Sequence, residues 1–127
     1  MKRSANLDPR LVRLSALCDK LPEATRELQG EHATFRVKGK VFAYFLNNHH
    51  GDGMVAVACR TARGENADWI AANPDRFFMP AYVGPRGYVG LRLDVGKVDW
   101  KEVADLVRDS YRMAAPKRLA ARLPSRP

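Results

Sequence analysis

Cysteine is scarce in this sequence of 127 residues, where Cys18 and Cys59 are the only two and show no CxxC spacing. Both stand among apolar neighbours, which favours buried free thiols in a reducing cytoplasm over a Cys18–Cys59 disulfide. Because no run of about 18 apolar residues occurs, no membrane-spanning helix is expected. The N-terminal stretch also lacks the apolar run of a secretory signal. We therefore expect a cytoplasmic protein without a membrane partner.

Motifs for catalysis and for nucleotide binding are also missing. There is no G-x-S-x-G elbow, neither cysteine has an evident histidine partner, and no P-loop or Rossmann glycine pattern occurs. Ser110 and Tyr111 fall late in a helical segment, apart from the histidines. His49 and His50 are adjacent in a turn-forming stretch and His32 is remote in sequence, so a polar hairpin tip is favoured over a zinc site. The sequence predicts no enzyme, no metal and no cofactor.

What is present is an ordinary globular composition, with 46% hydrophobic and 28% charged residues. A chain of this length builds one core without disulfides or metal, so we expect a monomer with a single domain over residues 1–127 and a basic tail from about residue 116. The net charge is +8, but residues 1–20 contribute +3 and residues 116–127 contribute +4, which leaves +1 for the segment between them. Any affinity for polyanions is therefore expected to come largely from the ends.

The periodicity of apolar residues changes along the first half of the chain. Asp8 and Pro9 form a helix start, and an apolar stripe follows that ends before Pro22. Residues 23–31 are ambiguous between a short strand and coil. From Thr34 the period is two, and Lys38-Gly39-Lys40 predicts a tight hairpin turn. With a second turn over residues 47–53 and a buried strand over 54–60, three consecutive antiparallel strands are expected.

The second half continues this alternation of elements. Residues 64–73 predict a short helix. Residues 88–94 alternate as a strand, with Tyr88 and Gly90 directed outward. Asp99 and Glu102 predict a capping box at the start of an amphipathic helix, which Pro116 interrupts. Short turns imply an antiparallel sheet with helices on one face, and the fold class is therefore α+β, a two-layer sandwich.

Short motifs follow one another in order between residues 8 and 123: Leu21-Pro22, the hairpin of residues 35–45, Ala67-Asp68-Trp69, Pro80-Ala81-Tyr82-Val83-Gly84, Gly87-Tyr88-Val89, Asp99-Trp100, Ser110-Tyr111 and Ala115-Pro116-Lys117. This ordered set resembles the MmcQ/YjbR family. One departure is Tyr88, where the family is expected to favour tryptophan.

The resemblance implies an α+β fold similar to the frataxin-like, or CyaY-like, arrangement, which agrees with the order of elements above. It also implies DNA binding, since strands and turns of the family resemble a double-wing motif, although that argument is one of fold analogy. It implies no catalytic residues. A frataxin-like fold also suggests iron delivery, which requires an acidic ridge. The first helical segment carries only Asp8 and Asp19 among several basic residues, which argues against this role.

Two hypotheses of function follow. In the first, the protein binds DNA weakly and without sequence preference, because basic side chains about 6.5–7 Å apart along a strand match the spacing of phosphates. The predicted contacts form two patches, one of Arg36, Lys38, Lys40, Arg60 and Arg63 and one of Lys117, Arg118 and Arg122.

In the second hypothesis, the protein is a protein- or small-ligand-binding module that uses exposed aromatic side chains such as Tyr44, Tyr82 or Tyr88, and its basic ends serve solubility alone. Geometry distinguishes the two. DNA binding requires both basic groups on one continuous face, whereas a pocket walled by Tyr82 and Tyr88 favours the module.

Overall fold

The computed structural model describes residues 8–62 and 64–123, and within these ranges the chain forms four α-helices and six β-strands. Their order is α1 (Pro9–Asp19), β1 (Ala24–Gln29), β2 (His32–Val37), β3 (Lys40–Asn47), β4 (Val55–Arg60), α2 (Glu65–Ala72), β5 (Phe77–Phe78), β6 (Tyr88–Arg92), α3 (Trp100–Ala114) and α4 (Lys117–Ala120). No helix in the described part of the chain is long and apolar enough to cross a membrane.

The described strands form one antiparallel sheet in the order β1-β2-β3-β4-β6-β5. Residues 24–29, which the sequence left ambiguous, form the edge strand β1 and pair with β2 from Ala24↔Val37 to Gln29↔His32. The segment that could be a short strand or coil is therefore a strand, and with β2, β3 and β4 it makes four consecutive antiparallel strands. The predicted hairpin turn is confirmed, because Lys38 (φ 50) and Gly39 (φ 80) both adopt the left-handed conformation that a tight two-residue turn requires.

One face of the sheet, the helix face, is covered by α1, α2 and α3. The side chain of Phe42 packs against Tyr111 of α3, with 5.4 Å between ring centroids, and Phe77 packs against Trp69 of α2 at 5.2 Å. The buried core also contains Leu11, Leu14 and Cys18 from α1, Phe35, Phe45, Val57, Val89 and Leu91 from the sheet, and Val103 and Val107 from α3. The predicted two-layer α+β sandwich is thus confirmed.

A bulge in β3 connects the sheet to α3. The register between β2 and β3 shifts so that Phe35 opposes Ala43 while Arg36 opposes Val41, which leaves Phe42 as the extra residue. The hydroxyl of Ser110, on α3, donates to the Phe42 carbonyl and accepts the Arg60 N–H at 2.8 Å. The bulge leaves these two backbone groups without a partner in the β-ladder, and the Ser110 hydroxyl supplies one to each. Ser110 is 0% exposed, so both bonds are buried.

The second face of the sheet, the open face, is partly closed by its own aromatic side chains. Tyr88 and Gly90 point away from the helices, as the alternation predicted, yet both are buried, and Tyr88 is only 4% exposed. Phe78 lies opposite Gly90, and a Cβ on that glycine would stand 2.5 Å from the Phe78 ring. Tyr44 packs against Tyr88 with 5.7 Å between ring centroids. An outward direction on this sheet therefore does not mean exposure.

The helix caps are formed by the predicted aspartates. Asp99 accepts the backbone N–H groups of Lys101 and Glu102 at 3.1 and 3.3 Å, which satisfies donors at the start of α3. The Glu102 carboxylate pairs with Arg76 rather than supplying the second half of a capping box. Asp8 caps α1 through a 2.9 Å bond from the Arg10 N–H.

Both thiols are free and lie in the core, as predicted, with Cys18 1% and Cys59 0% exposed. Burial raises the pKa of each thiol, because a thiolate is poorly solvated among apolar side chains. Neither cysteine is placed to react in the folded protein.

Candidate nucleic-acid interface

The short helix α4 docks on the core instead of forming a free basic tail. Pro116 ends α3, and Leu119, on α4, is 0% exposed. Leu123 packs partly against the same core. Full burial of a leucine side chain contributes about 1.5–3 kcal/mol, so the basic residues Lys117 and Arg118 are held at a defined position on the protein surface.

Glu23 connects α4 to the turn between β2 and β3. The Nζ atom of Lys38 lies 2.7 Å from Glu23 Oε1, and Nη1 of Arg118 lies 3.8 Å from Glu23 Oε2. The pKa of the Glu23 carboxyl is lowered, first by the hydrogen bond from Lys38 and its charge, with further contributions from the charges of Arg118 and Arg122. Basic groups that are far apart in sequence therefore meet at one end of the sheet.

We call this surface the basic end and define it by five exposed side chains: Lys38, Lys40, Lys117, Arg118 and Arg122. Lys40 opens β3 opposite Val37, next to the turn that carries Lys38. Arg122 lies two residues after the end of α4 and also acts electrostatically on Tyr111, whose hydroxyl donates to the Pro22 carbonyl at 2.6 Å. The basic end thus unites part of the first predicted patch with all of the second.

Arg36 and Arg60 lie on the open face of the sheet, outside the basic end. Arg36 forms an ion pair at 2.5 Å with Glu27 of the neighbouring strand. The Arg60 guanidinium donates from Nε to the Val41 carbonyl at 2.9 Å and lies 5.6 Å from the centroid of the Tyr88 ring. Both guanidinium groups are therefore bound to other groups of the sheet.

The predicted row of cations at strand spacing is wrong, because Lys38 lies in a turn with φ 50 and does not continue the extended strand that holds Arg36. Arg63 lies outside the described residues. The first predicted patch is therefore divided between two surfaces of the molecule.

The three tyrosines of the alternative hypothesis are also separated. Tyr88 is buried, and its hydroxyl donates to the Val41 carbonyl at 3.3 Å, so the prediction that it is an exposed aromatic is wrong. Burial raises the pKa of the Tyr88 phenol. Tyr82 is 74% exposed, on the loop between β5 and β6, with its ring centroid 6.5 Å from that of His49. Tyr44 therefore pairs with Tyr88, while Tyr82 lies beside a histidine.

Although His32 is remote in sequence from the histidine-containing turn, its ring centroid lies 5.4 Å from that of His49. His32 Nδ1 accepts the Asn47 N–H at 3.2 Å. A neutral His32 ring consequently carries its proton on Nε2, so metal ligation through that nitrogen would require a change of tautomer and loss of this bond. The side chain of His50 lies outside the described part of the structure, and among the described side chains of residues 8–62 and 64–123 no three His, Cys, Asp or Glu residues form a group that could hold a metal ion.

A cleft of about 610 Å³ opens between the start of α2 and the loop that precedes β6, with Thr61, Met79 and Arg86 among its lining residues. The Asn66 side chain at its base donates to the carbonyls of Gly84 and Tyr88 at 2.9 and 3.0 Å. No buried side-chain nitrogen or oxygen in the described residues lacks a hydrogen-bond partner. The Asn66 side chain of this cleft therefore serves to position the loop.

Sequence analysis missed Glu23, the residue on which the geometry of the basic end depends. It stands in the segment that was ambiguous between strand and coil, and its contacts come from a turn and from the last helix. A single acidic residue after Leu21-Pro22 has no pattern that marks it. Its position near cations became visible only once β1 and α4 were placed.

The YjbR family model matches residues 19–113. The chain belongs to the YjbR family. The resemblance drawn from the ordered motifs is thereby confirmed. The matched residues include Glu23, Lys38 and Lys40 of the site just described, while α4 with Arg118 follows the matched segment.

A solved structure supports the same fold. The crystal structure of the Deinococcus radiodurans protein DR2400, which has a DUF419 domain, superposes with a TM-score of 0.67 at 20% sequence identity, covering 81% of this chain and 76% of that chain. At this identity the likeness shows the shared fold. No curated protein matches this sequence.

Proposed function

We propose that this YjbR-family protein is a cytoplasmic, non-enzymatic protein that binds DNA weakly and without sequence preference, through phosphate contacts at the basic end. The observation that carries the proposal is the shared contact of Lys38 and Arg118 with Glu23, because it puts the hairpin turn and the C-terminal helix on one surface. Ammonium and guanidinium groups bind phosphate oxygens through charge-assisted hydrogen bonds. Such contacts give affinity without reading bases.

The expected affinity is modest, because only part of the basic end is free of acidic partners. Of the described residues in this surface, Lys38 and Arg118 form ion pairs within 4.0 Å, and Lys40, Lys117 and Arg122 form none. One phosphate contact by each of the five cations would give a slope of about −4.5 for log K against log salt, which weakens binding about five-hundredfold between 50 and 200 mM salt.

A binding role is preferred to a catalytic one because the side chains once considered for catalysis are occupied. The Ser110 hydroxyl is bonded to backbone groups of β3 and β4, and the Tyr111 hydroxyl is bonded to the Pro22 carbonyl. The free thiols are buried and have raised pKa values. A reducing cytoplasm suits buried free thiols.

The test is fluorescence anisotropy of a labelled DNA duplex at 50 to 200 mM salt. We expect Lys38→Ala/Arg118→Ala to weaken binding at least about tenfold and to reduce the salt slope by about 1.8. The matched control is Lys97→Ala/Lys101→Ala, which removes two exposed cations before and at the start of α3, towards the opposite end of the sheet. Substitutions are preferable to truncation after Ala115, which would remove the buried Leu119.

Two results would overturn the proposal. One is the absence of binding by the intact chain at the lowest salt concentration. The other is an equal loss of affinity in both double variants, which would mean that overall charge, and not the basic end, determines the attraction.

A second candidate, a protein- or small-ligand-binding module, is favoured by Tyr82. This residue is 74% exposed and adopts φ 68, a conformation that is unfavourable for residues other than glycine. Backbone strain of this kind is often retained at functional positions. A saturation-transfer NMR screen of aromatic acids tests this candidate, with Tyr82→Ala expected to abolish the signal and Tyr44→Ala, on the open face, expected to retain it.

A further inference from the structure

We propose that Glu23 occupies a phosphate subsite in the basic end and is a built-in competitor of anionic ligands. The inference rests on the function proposed above and specifies one point of contact within it. When a phosphate binds, it replaces the Glu23 carboxylate between Lys38 and Arg118.

The geometry around Glu23 matches the recognition of an anion with two acceptor oxygens. Each carboxylate oxygen faces a different cation, with Oε1 2.7 Å from Lys38 Nζ and Oε2 3.8 Å from Arg118 Nη1. A DNA phosphodiester offers the same pair of oxygens and the same single negative charge, and inorganic pyrophosphate offers further oxygens and more charge. The third cation, Arg122, acts on the same position electrostatically.

The backbone of Glu23 supplies a second, independent observation. Its φ is 58, in the left-handed region where glycine is the unstrained choice. A glutamate at this position therefore brings conformational strain into the link between α1 and β1. Strained backbone conformations are concentrated at binding and catalytic positions, so this strain supports a functional role for Glu23.

Exposure makes the carboxylate replaceable. The side chains of Lys38, Glu23 and Arg118 are 46%, 42% and 64% exposed, so a ligand can reach all three. Ion pairs between exposed side chains contribute little to stability because water and salt screen them. A phosphate that takes the place of Glu23 therefore displaces a weak contact and not a structural one.

The experiment is isothermal titration calorimetry with inorganic pyrophosphate on the intact chain, on Glu23→Gln and on Glu31→Gln. Glutamine keeps the size of the side chain and removes its charge. Glu31 is the matched control, because it is an exposed glutamate in the turn at the far end of the same β1–β2 hairpin. Glu23→Gly is a second test variant that removes the carboxylate together with the backbone strain.

We expect Glu23→Gln to bind pyrophosphate about two- to fivefold more tightly than the intact chain, which is the range for removal of an exposed competing ion pair. Glu31→Gln is expected to change affinity by less than about 1.5-fold, since charges separated by more than a Debye length are largely screened at 0.1 M salt. Adding Lys38→Ala to Glu23→Gln is expected to erase the gain. The backbone amide NMR signals of Lys38 and Arg118 are expected to shift on titration.

Equal pyrophosphate affinities for Glu23→Gln and Glu31→Gln would overturn the inference. A tighter pyrophosphate affinity of Glu23→Gln that persists after Lys38→Ala is added would overturn it as well. Lys38, which Glu23→Gln frees from its ion pair, would then not be the side chain that binds pyrophosphate. Titration of the duplex with the same variants decides the proposed function separately. If no variant binds the duplex, DNA binding fails while the pyrophosphate comparison still decides the role of Glu23.

Discussion

Replacing Ser110 with alanine removes one hydroxyl that supports two strands, and it tests the physical account of the β3 bulge. In the structure this hydroxyl donates to the Phe42 carbonyl and accepts the Arg60 N–H. After the substitution, both backbone groups lose their partner. Water cannot readily replace the hydroxyl, because Ser110 is 0% exposed and Phe42 is equally buried.

The magnitude follows from these two groups. An unsatisfied buried backbone donor or acceptor costs about 1–3 kcal/mol. Because the Arg60 N–H lies nearer the protein surface than the Phe42 carbonyl, we expect Ser110→Ala to lower the free energy of unfolding by about 2–4 kcal/mol. For a domain of this size, each kcal/mol lowers the melting temperature by about 3–5 °C.

The assay is urea denaturation followed by circular dichroism, with a lower midpoint and an unchanged m-value expected. Ser15→Ala is the matched control. Ser15 is also buried, but its hydroxyl accepts a bond from the side chain of Arg26, which is exposed and remains hydrated after the substitution. The control is expected to lose less than about 1 kcal/mol.

A loss in Ser110→Ala no larger than in Ser15→Ala would refute the reasoning. It would mean that the Phe42 carbonyl and the Arg60 N–H find other partners, and that α3 is attached to the sheet by apolar packing alone.

Three further predictions concern packing, pH and thiol reactivity. Gly90→Ala places a Cβ 2.5 Å from the Phe78 ring and is expected to cost about 1–3 kcal/mol in urea denaturation. Burial opposes ionisation of Asp8, but hydrogen bonds to its carboxylate hold its pKa below the ordinary value. Its stabilisation is therefore present above the unfolded pKa and lost as pH falls, so the difference in stability between the intact chain and Asp8→Asn is expected to shrink between about pH 5 and pH 2. Cys18 and Cys59 are expected to react with iodoacetamide only as fast as the protein unfolds, measured by mass spectrometry.

Each of these predictions has a result that contradicts it. Adding Phe78→Leu to Gly90→Ala should restore part of the lost stability, and no restoration would show that the ring is not the obstacle. A constant difference between the intact chain and Asp8→Asn over the whole pH range would show that this carboxylate has the same pKa in the folded and unfolded states. Alkylation of either thiol faster than global unfolding would reveal a local opening that exposes the core.

The parts of the fold that were predicted correctly depend on residues close together in sequence. The turn at Lys38-Gly39 follows from the left-handed conformations that the two residues adopt, and the starts of α1 and α3 follow from aspartates that bond to nearby N–H groups. The family was also identified from local motifs in a fixed order. Such features need no knowledge of which element packs against which.

The burial of Tyr88 shows where local reasoning failed. Alternation correctly directed this residue away from the helices, but its exposure depended on Tyr44 of β3 and Arg60 of β4, whose side chains contact its ring. The adjacent Gly90 is covered by Phe78, from a strand of only two residues. A strand this short has no periodicity that a sequence can reveal.

The candidate site was predicted only in part for the same reason. Charge alone identified the five cations of the basic end, Lys38, Lys40, Lys117, Arg118 and Arg122. It did not identify Glu23, and it did not show that Arg36 and Arg60 lie outside the basic end. Charge is a property of each residue, but the contacts of Glu23 come from two other elements. Whether the cations of the β2–β3 turn and those of α4 share one surface depended on whether α4 docks on the core.

The amino-acid sequence by itself determined the α+β class, the family, the hairpins and the identity of the cations, because periodicity, turn chemistry and charge act over a few neighbouring residues. The tertiary structure alone decided that Ser110 bonds to Phe42, 68 residues away, and that Tyr111 bonds to Pro22, 89 residues away. These contacts dock α3, and the burial of Leu119 docks α4 and thereby places Arg118 beside the Glu23–Lys38 pair. Long-range packing sets such distances, since it depends on the summed burial of many side chains and not on any local pattern.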